Sequence, residues 1–330
     1  MKLTVIIPTY NRAESLRKTL RSLADAAPAP GLEVEIVAAD NNSSDHTRQV
    51  VEEMTAHFAA ARVEYLFEPR QGRSFALNTA IRQSTCDVLS AVDDDETVAP
   101  DWLVEVEKIF RERWDEIDFV GGKILPELEI EPPAWVEPLK EGALCWRDYG
   151  DEEWVYDENS PMITGAHGVF KKSVFDKIGL YNENLGVVGR GFTSCEDDVL
   201  YDQLISNGLR GVYQPKLVMY HYVPAYRLDK NYYRQWTFGA GMSQHLMDAH
   251  YKPFEGAKLM GVPRWMYRAA LAGGVEKIRS FVRRDETAAL AAESQPLVFA
   301  GFFYARHLRG SWAEKPLRSA AGRMFKPIAR

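Results

Sequence analysis

Two acidic clusters hold most of the chemistry legible in this 330-residue chain. The first is Asp93-Asp94-Asp95-Glu96, which follows the small and apolar Leu89-Ser90-Ala91-Val92 without a break. That prefix reads as the end of a buried parallel strand. Carboxylates this close repel one another, and a half-buried one is costly unless something positive neutralises it. No Lys or Arg lies within the run. The simplest missing partner is a divalent cation, since Mg²⁺ typically sits between one or two carboxylates and substrate phosphates. A solvated acidic turn ahead of a helix near Pro100 is the bland alternative. The position favours a ligand, because open α/β sheets bind ligands at the C-terminal ends of their strands. The second cluster, Glu196-Asp197-Asp198, opens a helix with Val199, Leu204 and Ile205 on its core face. Taken alone, these acids can be plain helix capping, which the dipole favours by roughly 0.3–1 kcal/mol.

The elements that must position these acids alternate through the first 125 residues. Leu3 to Pro8 reads as a strand. Asn11 can cap a helix to about Ala26, with Leu16, Leu20 and Leu23 on one face. Val34 to Ala39 is a second strand ending at Asp40-Asn41-Asn42, and Ser43 or Ser44 starts a helix. Val63 to Phe67 is a third strand, followed by Gly72 and a helix to Gln83. Val88 to Val92 is the fourth, and a fifth begins at Asp118. This order predicts a mostly parallel, helix-covered α/β sheet. Each strand exit is polar: Pro8-Thr9-Tyr10-Asn11-Arg12, then Asp40, then Glu68 and Arg70, then the acidic run. In a doubly wound sheet those exits converge on one rim. A dinucleotide enzyme would need a Gly-rich turn after the first strand, and none exists. A sugar-1-phosphate nucleotidyltransferase would also want glycines and a basic residue there; the stiff, aromatic Pro-Thr-Tyr-Asn-Arg suits packing a base.

In that order, Val5-Ile6-Ile7-Pro8-Thr9-Tyr10-Asn11-Arg12, Asp40-Asn41, Gly72 with Ala76 and Asn78, and Asp93-Asp94-Asp95 resemble the family 2 glycosyltransferases, over roughly residues 3–225. The resemblance implies the GT-A, nucleotide-diphospho-sugar transferase fold and inversion at the anomeric centre. It implies donor-binding roles for Pro8, Thr9, Tyr10, Arg12, Asp40, Gly72, Asp93 and Asp94, with Thr9, Tyr10 and Asp40 holding the nucleoside. Asp95 would ligate Mg²⁺ or Mn²⁺ at the diphosphate, with Asp93 nearby. The family often has Arg just before the Asn of its third motif; this chain has Leu77, and Arg70 or Arg73 can supply the charge. Met162 to Lys172 resembles the strand beneath the donor sugar, with Gly165 lining the site and His167 in place of an Asn. Glu196-Asp197-Asp198 matches the catalytic-base motif, which leaves either Asp197 or Asp198 as the base, because Val199 stands where a further acid is usual. His221 falls where such enzymes often place a His on the metal.

Between these motifs, Trp146, Tyr149, Trp154 and Tyr156 stand among acids. They read as an aromatic-pinned loop or, tilted by the resemblance, as the wall of an acceptor site. Gly186-Val187-Val188-Gly189-Arg190-Gly191 suggests a mobile loop over the cleft. Val212-Tyr213 and Leu217 to Tyr220 read as closing strands, Asn231 to Met247 as a helix, and Arg227 and Arg234 could meet a diphosphate.

Composition bounds the rest. Hydrophobic residues make up 46%, enough for a substantial core, and no apolar run approaches the roughly 18 residues of a spanning helix. Met1-Lys2-Leu3 leads directly into a strand, so no signal peptide is expected. Three scattered cysteines suggest a reducing cytosol. The net charge of -7 conceals an asymmetry: residues 1–251 hold 25 Lys/Arg against 41 Asp/Glu, whereas 252–330 hold 15 against 6. The organisation expected is a catalytic domain over 1–251, with a nucleotide-sugar half to 125 and an acceptor and base half after it, then a basic helical extension over 252–330. There Gly273-Gly274 should interrupt a helix begun at Trp265, and Asp285 should cap another. That extension, with Trp265, Phe302, Phe303 and Tyr304, fits an anionic membrane surface better than nucleic acid. The function expected is metal-dependent transfer of a hexosyl or deoxyhexosyl unit from a nucleotide-diphospho-sugar to a saccharide or lipid-linked acceptor. It would take place in the cytoplasm or on the inner face of the plasma membrane. The rivals are a nucleotidyltransferase and a non-catalytic sugar-nucleotide-binding protein.

Overall fold

The computed structural model describes residues 1–59, 61–188 and 191–309. In chain order it begins with β1 (Lys2–Thr9), α1 (Ala13–Asp25), β2 (Glu33–Asp40), α2 (Thr47–Thr55), β3 (Arg62–Phe67) and α3 (Arg73–Gln83). β4 (Val88–Ala91), β5 (Glu96–Val98), α4 (Trp102–Arg113), β6 (Phe119–Leu128), α5 (Lys140–Ala143), β7 (Trp154–Val155) and β8 (Val169–Lys171) follow. Next come α6 (Lys172–Ile178), α7 (Glu196–Ser206), β9 (Gly211–Val223) and α8 (Lys230–His250). The last elements are β10 (Lys258–Leu259), β11 (Val262–Pro263), α9 (Arg264–Val282), α10 (Glu286–Ala292) and α11 (Ser294–His307).

Among the described residues, contacts divide the chain into two compact units: 1–127, 146–188 and 196–222, and then 128–145, 191–195 and 223–309. The first unit is built on β1, which is apolar on both faces. Leu3, Val5 and Ile7 share a core with Leu16 and Leu20 of α1, Val50 and Met54 of α2, and Val106 and Phe110 of α4. Ile6 joins the opposite core with Ala76, Leu77 and Ile81 of α3, Phe170 of β8 and Leu200 and Leu204 of α7. Helices thus cover both faces, as a strand without a polar side demands. Each fully buried Leu or Ile contributes roughly 1.5–3 kcal/mol of transfer free energy.

The sheet runs β3-β2-β1-β4-β8-β6-β9-β5, with β7 beside β9. β3, β2, β1 and β4 pair in parallel, as the alternating pattern requires. The pairs β4–β8, β6–β8, β5–β9 and β7–β9 are antiparallel, so the sheet is mixed. Register aligns the strand exits. Thr9 lies opposite Asp40, Asp40 opposite Phe67, and Ile6 opposite Ala91, which brings the acidic run level with the end of β1.

Several expectations are corrected here. Asn11 does not cap α1: it adopts a left-handed φ of 52°, and its Oδ1 accepts from Ser44 N–H. Asp45, from the β2–α2 turn, accepts from Ala13 N–H and Thr47 N–H, so one side chain serves the starts of two helices. The two closing strands are one continuous strand, β9. The loop aromatics meet one another: Trp154 stacks on Tyr213 with centroids 5.0 Å apart and meets Tyr156 and Tyr149 edge-on. Tyr156 is buried against Phe119. These rings are used in packing.

In the second unit, α8 packs along α11 with the two backbones in contact. A Cβ at Gly241 would strike the Val298 carbonyl, and one at Gly301 the Phe238 carbonyl. Gly273-Gly274 does not interrupt α9. Gly273 is where α9 passes the backbone of Ala292 and the ring of Pro296, with no room for a side chain. Asp285 caps α10 as expected, accepting from Ala288 N–H. Of the aromatic residues expected as membrane anchors, Trp265 is exposed. Phe302 is buried, and Phe303 packs against Phe299. Arg234 pairs with Glu293 at 2.5 Å. The remainder of the basic extension, residues 310–330, lies outside the described residues.

Candidate active site

The catalytic, donor-binding and metal residues expected from sequence lie in the first unit, around the ends of β1, β2 and β4 and the start of α7, whereas Arg227 and Arg234 belong to the second. Around β1, Thr9 donates its hydroxyl to Asp94 Oδ2 at 2.8 Å. The Arg12 guanidinium reaches Asp94 Oδ1 and Asp95 Oδ2, both at 2.9 Å. Asp94 is buried, which pushes its carboxyl up to about 6 even with Arg12 opposing and Asp95 adding to the rise. Asp95 Oδ2 also lies 3.7 Å from His221 Nε2. Strand pairing produces that approach, since Glu96 of β5 is opposite His221 of β9.

A second group forms around Arg73 at the start of α3. Its guanidinium donates twice to Asp93 Oδ1, at 2.9 and 3.1 Å. It also lies 3.4 Å from Glu196 Oε1 and 3.7 Å from Asp197 Oδ1. Burial works against the Arg73 charge, but Asp93, Asp197 and Glu196 outweigh it and hold the cation firmly protonated. Burial raises Glu196 to about 7, with Asp197 adding to the rise. Asp197 is also raised by burial, against the pull of Arg73. Glu196 Oε2 and Asp197 Oδ1 are buried without a hydrogen-bond partner. Gly165 is required here, because a Cβ would collide with the Asp197 carboxylate and crowd the Tyr181 hydroxyl. Asp198 is the most exposed of the three, although its carboxyl is also raised by burial, against the pull of its own backbone N–H and of Arg147.

The β2 side of the rim is held by backbone and side-chain bonds. Asp40 accepts from Ser43 N–H at 2.9 Å and from the Tyr65 hydroxyl at 2.6 Å. Asn41 accepts from Gly72 N–H at 2.7 Å, and Gly72 has a φ of 142° that a side chain would strain. Pro8 is buried in β1 beside Ala39, and Tyr10 is half-buried just beyond the strand. Arg70 does not face this cluster; it grips buried Glu68 through two bonds of 2.8 Å. The expected loop is tied down at its start, with Arg73 N–H donating to Val187 and the Ser74 hydroxyl to Leu185. Gly189 and Arg190 lie outside the described residues. His167 is buried, and its ring is pushed down to about 3 by burial, which makes it a neutral core residue at neutral pH.

The sequence singled out neither Glu96 as a site residue nor the link that Arg73, an expected donor-site residue, makes between the two acidic clusters. Glu96, the fourth acid of the run, is buried, accepts from Asp93 N–H, and is pushed far up by burial and by Asp93. Its position in the run was the available signal. Arg73 as the link between Asp93 and Asp197 had no signal, because its partners are 20 and more than 120 residues away.

Among the described residues, no three His, Cys, Asp or Glu side chains are gathered as a complete metal cluster. The donor chemistry nevertheless fits a hard cation. Asp95 and His221 approach each other in a run whose buried members Asp94 and Glu96 are raised first by burial and then by neighbouring carboxylates.

Residues 4–179 match the family described as glycosyl transferase family 2. A glucosyl-dolichyl phosphate glucuronosyltransferase of Haloferax volcanii is 24% identical over 265 residues, covering 76% of this chain and 79% of that protein. A GalNAc(5)-diNAcBac-PP-undecaprenol beta-1,3-glucosyltransferase of Campylobacter jejuni is 31% identical over 97 residues, covering 29% and 30%. The structure of a mannosyltransferase from Pyrobaculum calidifontis, in complex with GDP-Man and Mn²⁺, superimposes with a TM-score of 0.52 at 19% identity. That likeness spans 98% of this chain and 81% of the other, and it identifies the fold as GT-A. With a matched region of more than half its length, the chain belongs to glycosyl transferase family 2.

Proposed function

We propose that this protein transfers a hexosyl or deoxyhexosyl unit from a nucleotide-diphospho-sugar to an acceptor hydroxyl, with inversion at the anomeric carbon. The observation that carries the reading is the meeting of strand-end Asp93 and helix-start Asp197 on the two sides of Arg73. A donor-binding rim and a buried carboxylate with a raised pKa thus share one cation. The acceptor oxygen attacks C1 of the donor sugar as the bond from C1 to the diphosphate oxygen breaks, and its electron pair leaves with the nucleoside diphosphate. Asp197 takes the acceptor proton as general base. Its less exposed position and its contact with Arg73 favour it over Asp198. Glu196 orients Arg73 from the same helix turn.

Pro8, Thr9, Tyr10, Arg12, Asp40, Gly72, Arg73, Asp93, Asp94 and Gly165 form the proposed donor site. Asp95, with Asp93 and His221, would hold Mg²⁺ or Mn²⁺, which when bound offsets charge on the leaving diphosphate. In this reading residues 1–251 are catalytic and 252–330 are an extension. With a polysaccharide acceptor as the alternative, a lipid-linked acceptor fits the two relatives, each of which by name acts on a polyprenyl-linked sugar. Such an acceptor puts the enzyme at a membrane's cytoplasmic face, although among the described residues no helix is long and apolar enough to span one.

A thermal-shift panel of nucleoside diphosphates and their sugars, with and without Mn²⁺, tests the proposal. A ligand at about 100 times its dissociation constant adds roughly 2.7 kcal/mol of stability. Stabilisation by one nucleotide-sugar, enhanced by Mn²⁺, is expected. Stabilisation by nucleoside triphosphates alone would favour the nucleotidyltransferase instead.

A further inference from the structure

α9 carries its hydrophobic residues on the wrong side for a core helix. Leu271, Ile278 and Val282 are 72%, 66% and 76% exposed, and Val275 between them is 50% exposed. At 100° per residue these four fall within an arc of about 60°, a stripe about 17 Å long. Met266 and Ser280, the buried residues of the helix, lie on the opposite side. The flanks are equally ordered. Arg268, Arg279 and Arg283 run along one edge of the stripe with exposed Trp265, and Phe281, 79% exposed, lies along the other. From Arg264 to Arg284 the chain has six Arg or Lys against one acid, Glu276. Near the start of α9, the β10–β11 turn adds exposed Leu259 and Met260, held to the helix by the Tyr267 hydroxyl, which donates to the Leu259 carbonyl.

An exposed apolar stripe of this kind is rarely left bare on a soluble protein. Its charge identifies the occupant. A second copy of this chain would bring two basic flanks together, and they would repel. An anionic lipid surface offers the opposite charge and an apolar interior. Long Arg side chains can reach phosphate headgroups while their stems line the stripe. Trp265 and Phe281 suit the boundary between headgroups and acyl chains.

We propose that the outward face of α9 is a membrane-docking surface, which lies flat on anionic lipid with Leu271, Val275, Ile278 and Val282 buried among the acyl chains. The burial of Phe302 removes it from that role, so the contact belongs to α9 and not to α11. This inference complements the transferase reading but does not depend on it, because docking is measured without donor or acceptor.

The test is flotation of the full chain with vesicles of phosphatidylcholine containing about a quarter phosphatidylglycerol, against phosphatidylcholine alone. The parent should float with the anionic vesicles and fall off partly at about 0.5 M NaCl, where charge is screened but the apolar contact persists. Leu271→Glu with Ile278→Glu should cut recovery more than about tenfold, because charge at these positions opposes insertion. Arg268→Gln with Arg279→Gln and Arg283→Gln should reduce recovery on anionic vesicles to the level seen on neutral ones. All these side chains are exposed, so melting temperature and nucleotide-induced thermal shift should stay at parent values, which separates lost docking from lost fold. Equal recovery of parent and variants, or no recovery of the parent, overturns the proposal. So does a parent dimer in solution that Leu271→Glu with Ile278→Glu dissolves while vesicle recovery is unaffected.

Discussion

Arg73→Met tests whether one cation holds the two acidic clusters together. The guanidinium is 13% exposed and lies 2.9, 3.4 and 3.7 Å from carboxylates of Asp93, Glu196 and Asp197. At an effective dielectric of about 20, unit charges at such distances attract by about 4–6 kcal/mol each. The net cost of removal is smaller, because an abandoned carboxylate can bind a proton at about 1.4 kcal/mol per unit its pKa must rise. Glu196, already pushed up to about 7, takes that proton cheaply near neutrality. Asp93 and Asp197 lose their ion pair with the guanidinium as well. Stranding a buried charge typically costs about 3–5 kcal/mol, and the cheap neutralisation of Glu196 puts this case near the lower end. For a unit of this size, about 3 kcal/mol lowers the melting temperature by roughly 6–12 °C. The sign with pH follows. Without the cation the folded carboxylates have raised pKa values, so stability falls as pH rises, and the penalty should be larger at pH 8 than at pH 5. Arg73→Lys should recover part of the loss, because the charge remains while the forked contact with Asp93 goes. Scanning calorimetry of the three proteins at both pH values decides the matter. A drop under about 2 °C, or a penalty larger at pH 5, refutes the reasoning.

Asp197→Asn should abolish transfer while donor affinity persists, and Asp198→Asn should do less; a dead Asp198→Asn beside an active Asp197→Asn would reassign the base. Asp95→Ala should remove the Mn²⁺-dependent part of nucleotide affinity in titration calorimetry with the fold intact, because Arg12 keeps its bond to Asp94. Gly165→Ala should lower turnover at least about tenfold with a stability loss of about 1–3 kcal/mol, since the added methyl displaces the Asp197 carboxylate. Glu196, raised from 4.5 to about 7, holds a proton in the folded state that the unfolded chain has released. Stability should therefore decline between pH 4.5 and 7, and Glu196→Gln should flatten that decline in denaturant titrations.

The strand exits and their acids were readable in the sequence because they rest on local rules. A strand buried on both faces needs a continuous apolar run, and a chain leaving such a strand exposes its polar residues at one end. β1 and the segment leading to Asp93 obey both rules, so the parallel half of the sheet and its rim could be inferred from spacing alone. The start of α7 was legible for a similar reason, since acids favour a helix N-terminus whatever else they do. What the tertiary structure decided depends on contacts between residues far apart in the chain. Arg73 could be known as a basic residue after Gly72, but its three carboxylate partners are joined to it only through the core that α3, β4 and α7 share. The approach of His221 to Asp95 follows from the antiparallel pairing of β5 with β9, which no local pattern encodes. The same holds for the aromatic residues. Phe302 and Phe281 both lie in helices of the C-terminal extension, yet one is buried and the other exposed. The facing helix determines which side of an apolar helix is covered, and Gly241 and Gly301 bring α8 close enough to bury Phe302 while α9 keeps its own stripe in solvent.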